Sequence, residues 1–397
     1  MSIFSPKKRR RGLEAARARE WIPFKDYTLF FVIIALLLFG LVMLYSITSY
    51  QGQVLWGDPS FYFNNQARYT AAGLAIMFVA AYFPYAVTKQ LAVPVYLASV
   101  VSVLLTLTPL GYSANGATRW LDFKYFNVQP AEIVKVGVIF LTASIIDRLG
   151  TRVNTIRGFI IPLIPAGIAA LMIWKITRNM SSAIIVMAIV MGMLFVACPF
   201  YKPFIAMAAL VTAGGGYWIY HTVETAREFG VTADFRGERI LAWLNPQAYA
   251  DNKAYQTLQA LYAIGSGGIF GKGLGQSMQK LGHVPELQND MIFSIICEEL
   301  GLFGAIGVML IYLFLIWRLA VIASNTADLY GALLVIGVMT HIAVQVILNI
   351  AVVTNTIPNT GVTLPFISYG GTSILLLLAE IGVVMSVSRK LGIKKPV

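Results

Sequence analysis

The chain has 397 residues, of which 58% are hydrophobic and 12% charged. A soluble fold of that length cannot hide so much apolar surface, whereas a bilayer takes the place of water against outward-facing side chains. The 30 Lys and Arg against 18 Asp and Glu leave a net charge of +12, concentrated in an N-terminal tail (Lys7, Lys8, Arg9, Arg10, Arg11, Arg17, Arg19, Lys25) and in short loops. That placement fits anionic lipid heads and argues against nucleic acid as a partner.

Ten apolar stretches predict membrane-spanning helices, at about 28–47, 69–85, 91–107, 131–146, 156–173, 181–198, 203–220, 291–321, 329–353 and 372–387. The expected fold is an all-α polytopic membrane protein with a large extracytoplasmic loop between the seventh and eighth helices. The first stretch is too long for a signal peptide and lacks a small-residue cleavage pattern, so it reads as a span that stays. Pro162 and Pro165 predict a kink in the fifth span, which a membrane helix tolerates. Pro199-Phe200-Tyr201-Lys202 predicts a tight hairpin between the sixth and seventh, and the eighth is expected to break near Gly301.

An even number of spans puts both termini on one side. The tail, Arg148, Arg152, Arg157, Lys202, Arg318 and the basic end at 389–395 all fall there, which makes that side cytoplasmic. The organisation is then a basic tail at 1–26, a transmembrane domain at 27–388 containing an extracytoplasmic loop at 221–290, and a short cytoplasmic tail at 389–397. A second extracytoplasmic segment covers 108–130. No internal repeat points to an inverted-repeat transporter. Cys198 and Cys297 lie in or beside apolar runs and read as buried thiols rather than a disulfide.

Four constellations carry candidate chemistry. The first is Gly116-Ala117-Thr118-Arg119-Trp120 followed by Gln129-Pro130-Ala131-Glu132, with Lys135 three residues on. Glu132 and Lys135 share one helix face, and an ionisable pair inside a span is either functional or a structural staple. The second is the glycine-rich run 263–275. It misses the nucleotide P-loop because Ser266 stands where Gly is required and Gly273 where Ser or Thr is. Its backbone amides, with Lys272 and Lys280, suit another phosphate, or the run is simply a re-entrant turn.

The third is Pro285-Glu286-Leu287-Gln288-Asn289-Asp290, directly before an apolar run and then Glu298-Glu299. Asp290 sits where the long loop meets a span. A carboxylate partly desolvated there suits a general base, and a helix N-cap is the competing use. The fourth is the uncharged, turn-rich stretch 357–373, which includes Ser368. Non-helical backbone at membrane depth survives only when protein buries it or it lines a cavity. On the preceding helix His341, Gln345 and Asn349 recur every four residues, facing either a polar cavity or a neighbouring helix.

With these motifs in this order, the chain resembles the SEDS family (shape, elongation, division and sporulation) over essentially everything beyond the tail. The resemblance implies glycosyl transfer on lipid II, an undecaprenyl-pyrophosphate disaccharide-peptide, in partnership with a class B penicillin-binding protein and other division proteins at the septum of a bacterial plasma membrane. It implies that Asp290 is the essential carboxylate, that Glu132 and Lys135 form an important intramembrane pair, and that Arg119 lies by the active cavity. Lys272, Lys280, Glu286 and Ser368 are further expected substrate contacts. A divalent cation (Mg or Mn) is a possible cofactor, with no ligands identifiable. Gln276 to Lys280 resembles the division and sporulation branches more than the elongation branch. The sequence departs from the family at 177–182, where Thr177-Arg178-Asn179 lacks the usual acid, at Gln288-Asn289, and at Asn355, where Gly is typical. Lipid transport and pure scaffolding are the rival readings.

Overall fold

In a bilayer every backbone polar group must be paired within the protein, so long apolar runs become helices. The computed structural model describes residues 26–114, 117–124, 126–199, 202–229, 235–249, 254–281 and 287–389. The basic tail, Gly116, the Phe200-Tyr201 pair of the expected hairpin, Pro285, Glu286 and the last eight residues lie outside them.

A helix forms at each of the ten predicted stretches. They are α1 (Tyr27–Trp56), α2 (Phe61–Tyr82), α3 (Ala86–Leu105), α4 (Pro130–Leu149), α5 (Ile156–Ile176), α6 (Met180–Ala197), α7 (Lys202–Phe229), α10 (Ile292–Asn325), α11 (Leu329–Val353) and α12 (Thr372–Ser388). Two further helices, α8 (Phe235–Leu244) and α9 (Tyr255–Gly267), fill the long segment before α10. Seven helices (α1, α3, α5, α6, α7, α10 and α11) are long and apolar enough to cross a membrane. The other three carry buried polar or charged side chains, Gln66 in α2 and Glu380 in α12 among them. In α4 these are Glu132 and Lys135, both buried against protein rather than lipid.

The segment 108–130, outside the ten predicted helical stretches, holds a three-stranded antiparallel sheet, β1 (Gly111–Ala114), β2 (Ala117–Asp122) and β3 (Asn127–Val128). Its residues alternate across β2, as a strand requires. This alternation later separates two cavities.

Helix starts are fixed by short polar side chains. Asp26 Oδ1 accepts from Leu29 N at 3.1 Å and Asp328 Oδ2 from Gly331 N at 2.9 Å. At α6 the cap is Asn179, whose Oδ1 accepts from Ser182 N at 3.0 Å. A neutral amide oxygen therefore caps the helix at the position where the family motif has an acid. Asn355, where Gly is typical, adopts φ 55°, a left-handed conformation that Asn tolerates better than most residues.

Around α4 pack α3, α5, α6 and α11, while α2 lies along α12 and α10 against α1, α9 and α11. The core side chains Val134, Ile139, Ile189, Leu334 and Ile381 are fully buried. The expected break in α10 is present at Gly301 (φ 65°, ψ −163°). There the glycine-rich run presses its backbone into the gap. Lys272 N donates to Glu298 O and Gly273 N to Glu299 O, both at 2.9 Å, and Leu302 N donates to Gly268 O at 3.0 Å. A Cβ on either Gly271 or Gly301 would collide with backbone of the other segment.

Candidate active site

The site grows from α8 and the 354–371 stretch. Trp243 Nε1 donates to Asn355 O at 3.0 Å and Arg239 Nη1 to Asn359 O at 3.1 Å, so the amphipathic α8 lies on that stretch. From α6, Ser181 Oγ donates to Thr360 O at 2.7 Å. Asn349 on α11 ties the floor, its Nδ2 donating to Asp290 O at 2.8 Å and Val362 O at 2.7 Å.

Asp290 is buried (7% exposed) at the entrance to α10. It does not cap that helix, whose N-cap is Met291 with no side-chain bond. Instead Oδ1 accepts from Gln256 Nε2 at 3.3 Å, and Gln256 Oε1 in turn accepts from Asn359 Nδ2 at 2.9 Å. One hydrogen-bonded layer thus separates the carboxylate from what lies beyond Asn359.

Beyond Asn359 is a cavity of about 730 Å³. Arg119, Lys175, Arg178 and Arg239 line it, and among the described residues no carboxylate does. Lys175 Nζ stands over the Trp174 ring, 4.5 Å from its centre. Arg119 Nη2 donates to Arg178 O at 3.3 Å, while its Nε is buried with no hydrogen-bond partner. Burial pushes the Arg119 guanidinium below its ordinary value, a cost that an arriving anion would relieve. Arg178 holds a left-handed backbone (φ 51°), a conformation unfavourable for any residue with a Cβ and common at functional sites. Met180, Ile184 and Leu348 complete the wall on an apolar side. Four cations beside an apolar surface suit an anionic headgroup on a hydrocarbon chain.

On the other side of β2 is a second cavity of about 520 Å³. Ala117 and Arg119 line the cationic cavity, and Trp120 and Asp122 line this one. Gln288 and Asn289, the two residues before Asp290, also line it. Asp290 itself lines neither cavity: it follows Gln288 and Asn289 of this one and is joined through Gln256 to Asn359 of the other.

The remaining predicted contacts lie elsewhere. Glu132 and Lys135 form a buried pair (Oε1 to Nζ 2.6 Å) that lines neither cavity. Lys272 Nζ is held by Glu298 Oε1 at 2.7 Å, and Lys280 Nζ by Gly275 O at 2.7 Å, Ser46 O at 3.1 Å and Glu299 Oε1 at 3.3 Å. Glu298 also accepts from Ser277 Oγ and from Met278 N at 3.2 Å. The two lysines thus clasp the glycine-rich run to α10, and the reading of that run as a phosphate cradle gives way to the re-entrant turn. Ser368 is buried in its own turn, its Oγ accepting from Leu364 N at 2.8 Å. Glu286 lies outside the described residues. The polar stripe of α11 is divided: His341 Nδ1 lies 2.8 Å from Glu380 Oε2 on α12, while Asn349 bonds the backbone of Asp290 and Val362 under the site.

Of the predicted residues, Arg119 lines the cationic cavity, and Asp290 is linked to that cavity's Asn359 through Gln256. Lys175, Arg178 and Arg239 were missed. The signal for the first two was present as two cations closely spaced at a turn between spans. A resident divalent cation does not fit this donor set: among the described residues no three His, Cys, Asp or Glu side chains converge, and the cavity wall is cationic.

A family model for cell cycle proteins of the FtsW, RodA and SpoVE type matches residues 27–392. The chain is 33% identical over 367 residues to a "Probable peptidoglycan glycosyltransferase FtsW" of Geobacter metallireducens, covering 92% of this chain and 95% of the relative. It is 32% identical over 365 residues to the "Stage V sporulation protein E" of Bacillus subtilis, covering 92% and 97%. Among solved structures, a chain from work on the structural coordination of polymerization and crosslinking by a peptidoglycan synthase complex superposes with a TM-score of 0.74 at 24% identity, over 92% of this chain and 98% of that one. The Rod shape determining protein RodA of Thermus thermophilus gives 0.66 at 23% identity, over 94% and 99%. These two likenesses speak to the fold. The family-model match over residues 27–392, with relatives more than 30% identical over nine tenths of the chain, makes this protein a member of the FtsW/RodA/SpoVE family of cell cycle proteins, the SEDS family.

Proposed function

We propose that this protein is a peptidoglycan glycosyltransferase that polymerises lipid II, working in septal wall synthesis with a class B penicillin-binding protein. It would do so as a ten-span protein of the bacterial plasma membrane with both termini cytoplasmic. The observation that carries the reading is a cavity with four cationic side chains and an apolar wall, one hydrogen-bonded layer from a buried carboxylate. The relatives' names and the placement of basic loops support it. The division role rests on the FtsW relative and on Gln276 to Lys280, and the sporulation relative is about equally similar.

In the reaction, the C4 hydroxyl oxygen of one disaccharide attacks the anomeric carbon of another. The anomeric C–O bond to pyrophosphate breaks, and its electron pair leaves with undecaprenyl pyrophosphate. Asp290 takes the hydroxyl proton. Arg119, Arg178, Lys175 and Arg239 meet the charge that gathers on the leaving group, in a site where water screens little. The apolar wall of Met180, Ile184 and Leu348 suits the prenyl chain, which never leaves the bilayer. Contact between Asp290 and the hydroxyl requires the Gln256–Asn359 bond to part.

The test is purified protein in detergent, with and without its penicillin-binding partner, given lipid II. Wild type should form glycan polymer, and Asp290→Asn should form none while keeping its thermal stability. Full synthesis by Asp290→Asn refutes the base assignment. A wild-type protein that moves lipid II between leaflets of a vesicle but makes no polymer refutes the enzyme reading in favour of transport.

A further inference from the structure

The cationic cavity accounts for the phosphates and the prenyl chain, but its chemistry offers little to an uncharged sugar. The second cavity, across β2, has the opposite composition. Its charged side chains are Asp122 and Lys124, which cancel. Aromatic rings dominate the rest. Tyr112 and Trp120 are cross-strand partners on β1 and β2, and Tyr369 comes from the 354–371 stretch. Tyr369 is fixed by its N–H donating to Gln288 O at 2.8 Å and by edge contact with Tyr62, ring centres 5.4 Å apart. Burial, with Tyr69 and Tyr62 nearby, raises its phenol above the ordinary value, so it stays a neutral donor and acceptor.

Between the rings stand the side-chain amides of Asn127, Gln288 and Asn289. Gln288 Oε1 is buried without a hydrogen-bond partner, an unmet acceptor in the wall of this cavity. Flat apolar faces with neutral amides at their edges match a pyranose ring. Its C–H face lies on an aromatic side chain, and its hydroxyls and acetamido group bond to amides. This cavity lacks the cluster of cations that the other cavity offers a pyrophosphate.

We propose that this second cavity is a saccharide subsite that holds an uncharged N-acetylated sugar unit of the substrate, across the Asp290 wall from the pyrophosphate. The inference rests on the polymerase reading above and deepens it. The wall then sorts the substrate by charge. Phosphates bind beside Arg119, sugar binds beside Trp120, and the bond to be made falls at the carboxylate between them. Adjacent residues of one strand set both positions, so the spacing of the two subsites is built into β2.

The probes are two: a phosphate-free tetramer of β-1,4-linked N-acetylglucosamine, and undecaprenyl pyrophosphate. Binding of each to the full-length protein in detergent is measured by tryptophan fluorescence and by competition. Tyr112→Ala and Gln288→Leu alter the second cavity, and Arg178→Ala the first. Tyr112 is half exposed on a hairpin strand, so its replacement leaves the bundle intact.

The tetramer should bind wild type and weaken by about tenfold in Tyr112→Ala, the scale of losing one stacked ring. Undecaprenyl pyrophosphate should change by less than about twofold in that variant, and Arg178→Ala should give the reverse pattern. Tetramer binding that survives both second-cavity changes overturns the proposal. So does tetramer binding lost with Arg178→Ala, or parallel weakening of both probes, which means one shared site. Wild type that polymerises lipid II without binding the tetramer overturns the subsite and spares the polymerase reading. Wild type that binds the tetramer without polymerising does the opposite.

Discussion

Glu132→Ala should destabilise the protein strongly, although Glu132 lines neither cavity. Lys135 is completely buried, and its Nζ has Glu132 Oε1 at 2.6 Å and no other polar partner among the described residues. At that separation and an effective dielectric of about 20, the gross attraction is about 6 kcal/mol. Much of it offsets the desolvation of the two charges. What the single mutant exposes is the remainder, an ammonium left unpaired in the buried interior, and removal of one partner of a buried pair costs about 3–5 kcal/mol. The double variant Glu132→Leu with Lys135→Met removes both charges at similar volume and should recover to within about 1–2 kcal/mol of wild type. Reversible unfolding in mixed detergent micelles reads the stability, and lipid II polymerisation reads the activity. Wild-type stability in Glu132→Ala would refute the argument. A double variant that is stable yet inactive would show that the pair serves the chemistry and not only the packing.

Further outcomes separate the clasp from the cavity. Arg178→Ala should raise the KM for lipid II by about tenfold, and the difference should narrow as ionic strength rises. An unchanged KM removes Arg178 from the site. Lys272→Ala should leave KM within about twofold, because Lys272 serves Glu298 and not the cavity. Glu298→Ala should cost about 3–5 kcal/mol, since Lys272, Ser277 and Met278 N lose one acceptor together. Limited proteolysis within 268–281 should accelerate accordingly. Gly301→Ala should cost at least about 2 kcal/mol, from a left-handed φ of 65° and a Cβ aimed at the backbone of Gly271. A variant with unaltered thermal unfolding would mean that the two backbones are not in contact.

The helices were legible because hydropathy is a local property. A run such as 329–353 has no other way to satisfy its backbone in lipid, whatever it packs against. The break at Gly301 was legible for a similar reason, since a glycine between two apolar halves marks a place where another backbone approaches. Asp290 stood out because a lone carboxylate at the end of a long loop meets a span. The small sheet at 111–128 was not legible: its strands are two to six residues long, too short for alternation to rise above noise.

Other assignments were beyond any local reading. Lys272 and Arg178 look alike in the sequence, each a cation near glycines or turn formers. Only the packing shows that Glu298 occupies one while the other lines a cavity. Asn349 reads as one step of a polar stripe, yet it is the tertiary fold that sets its amide under both Asp290 and Val362. Residue order thus determined the membrane class and the helices, because each follows from the chemistry of near neighbours along the chain. The partition into a cationic cavity and an aromatic one was decided by tertiary structure alone, because its walls come from β2, α5, α6, α8 and the 354–371 stretch, and charges so distant in sequence acquire a common field only once the fold has put them side by side.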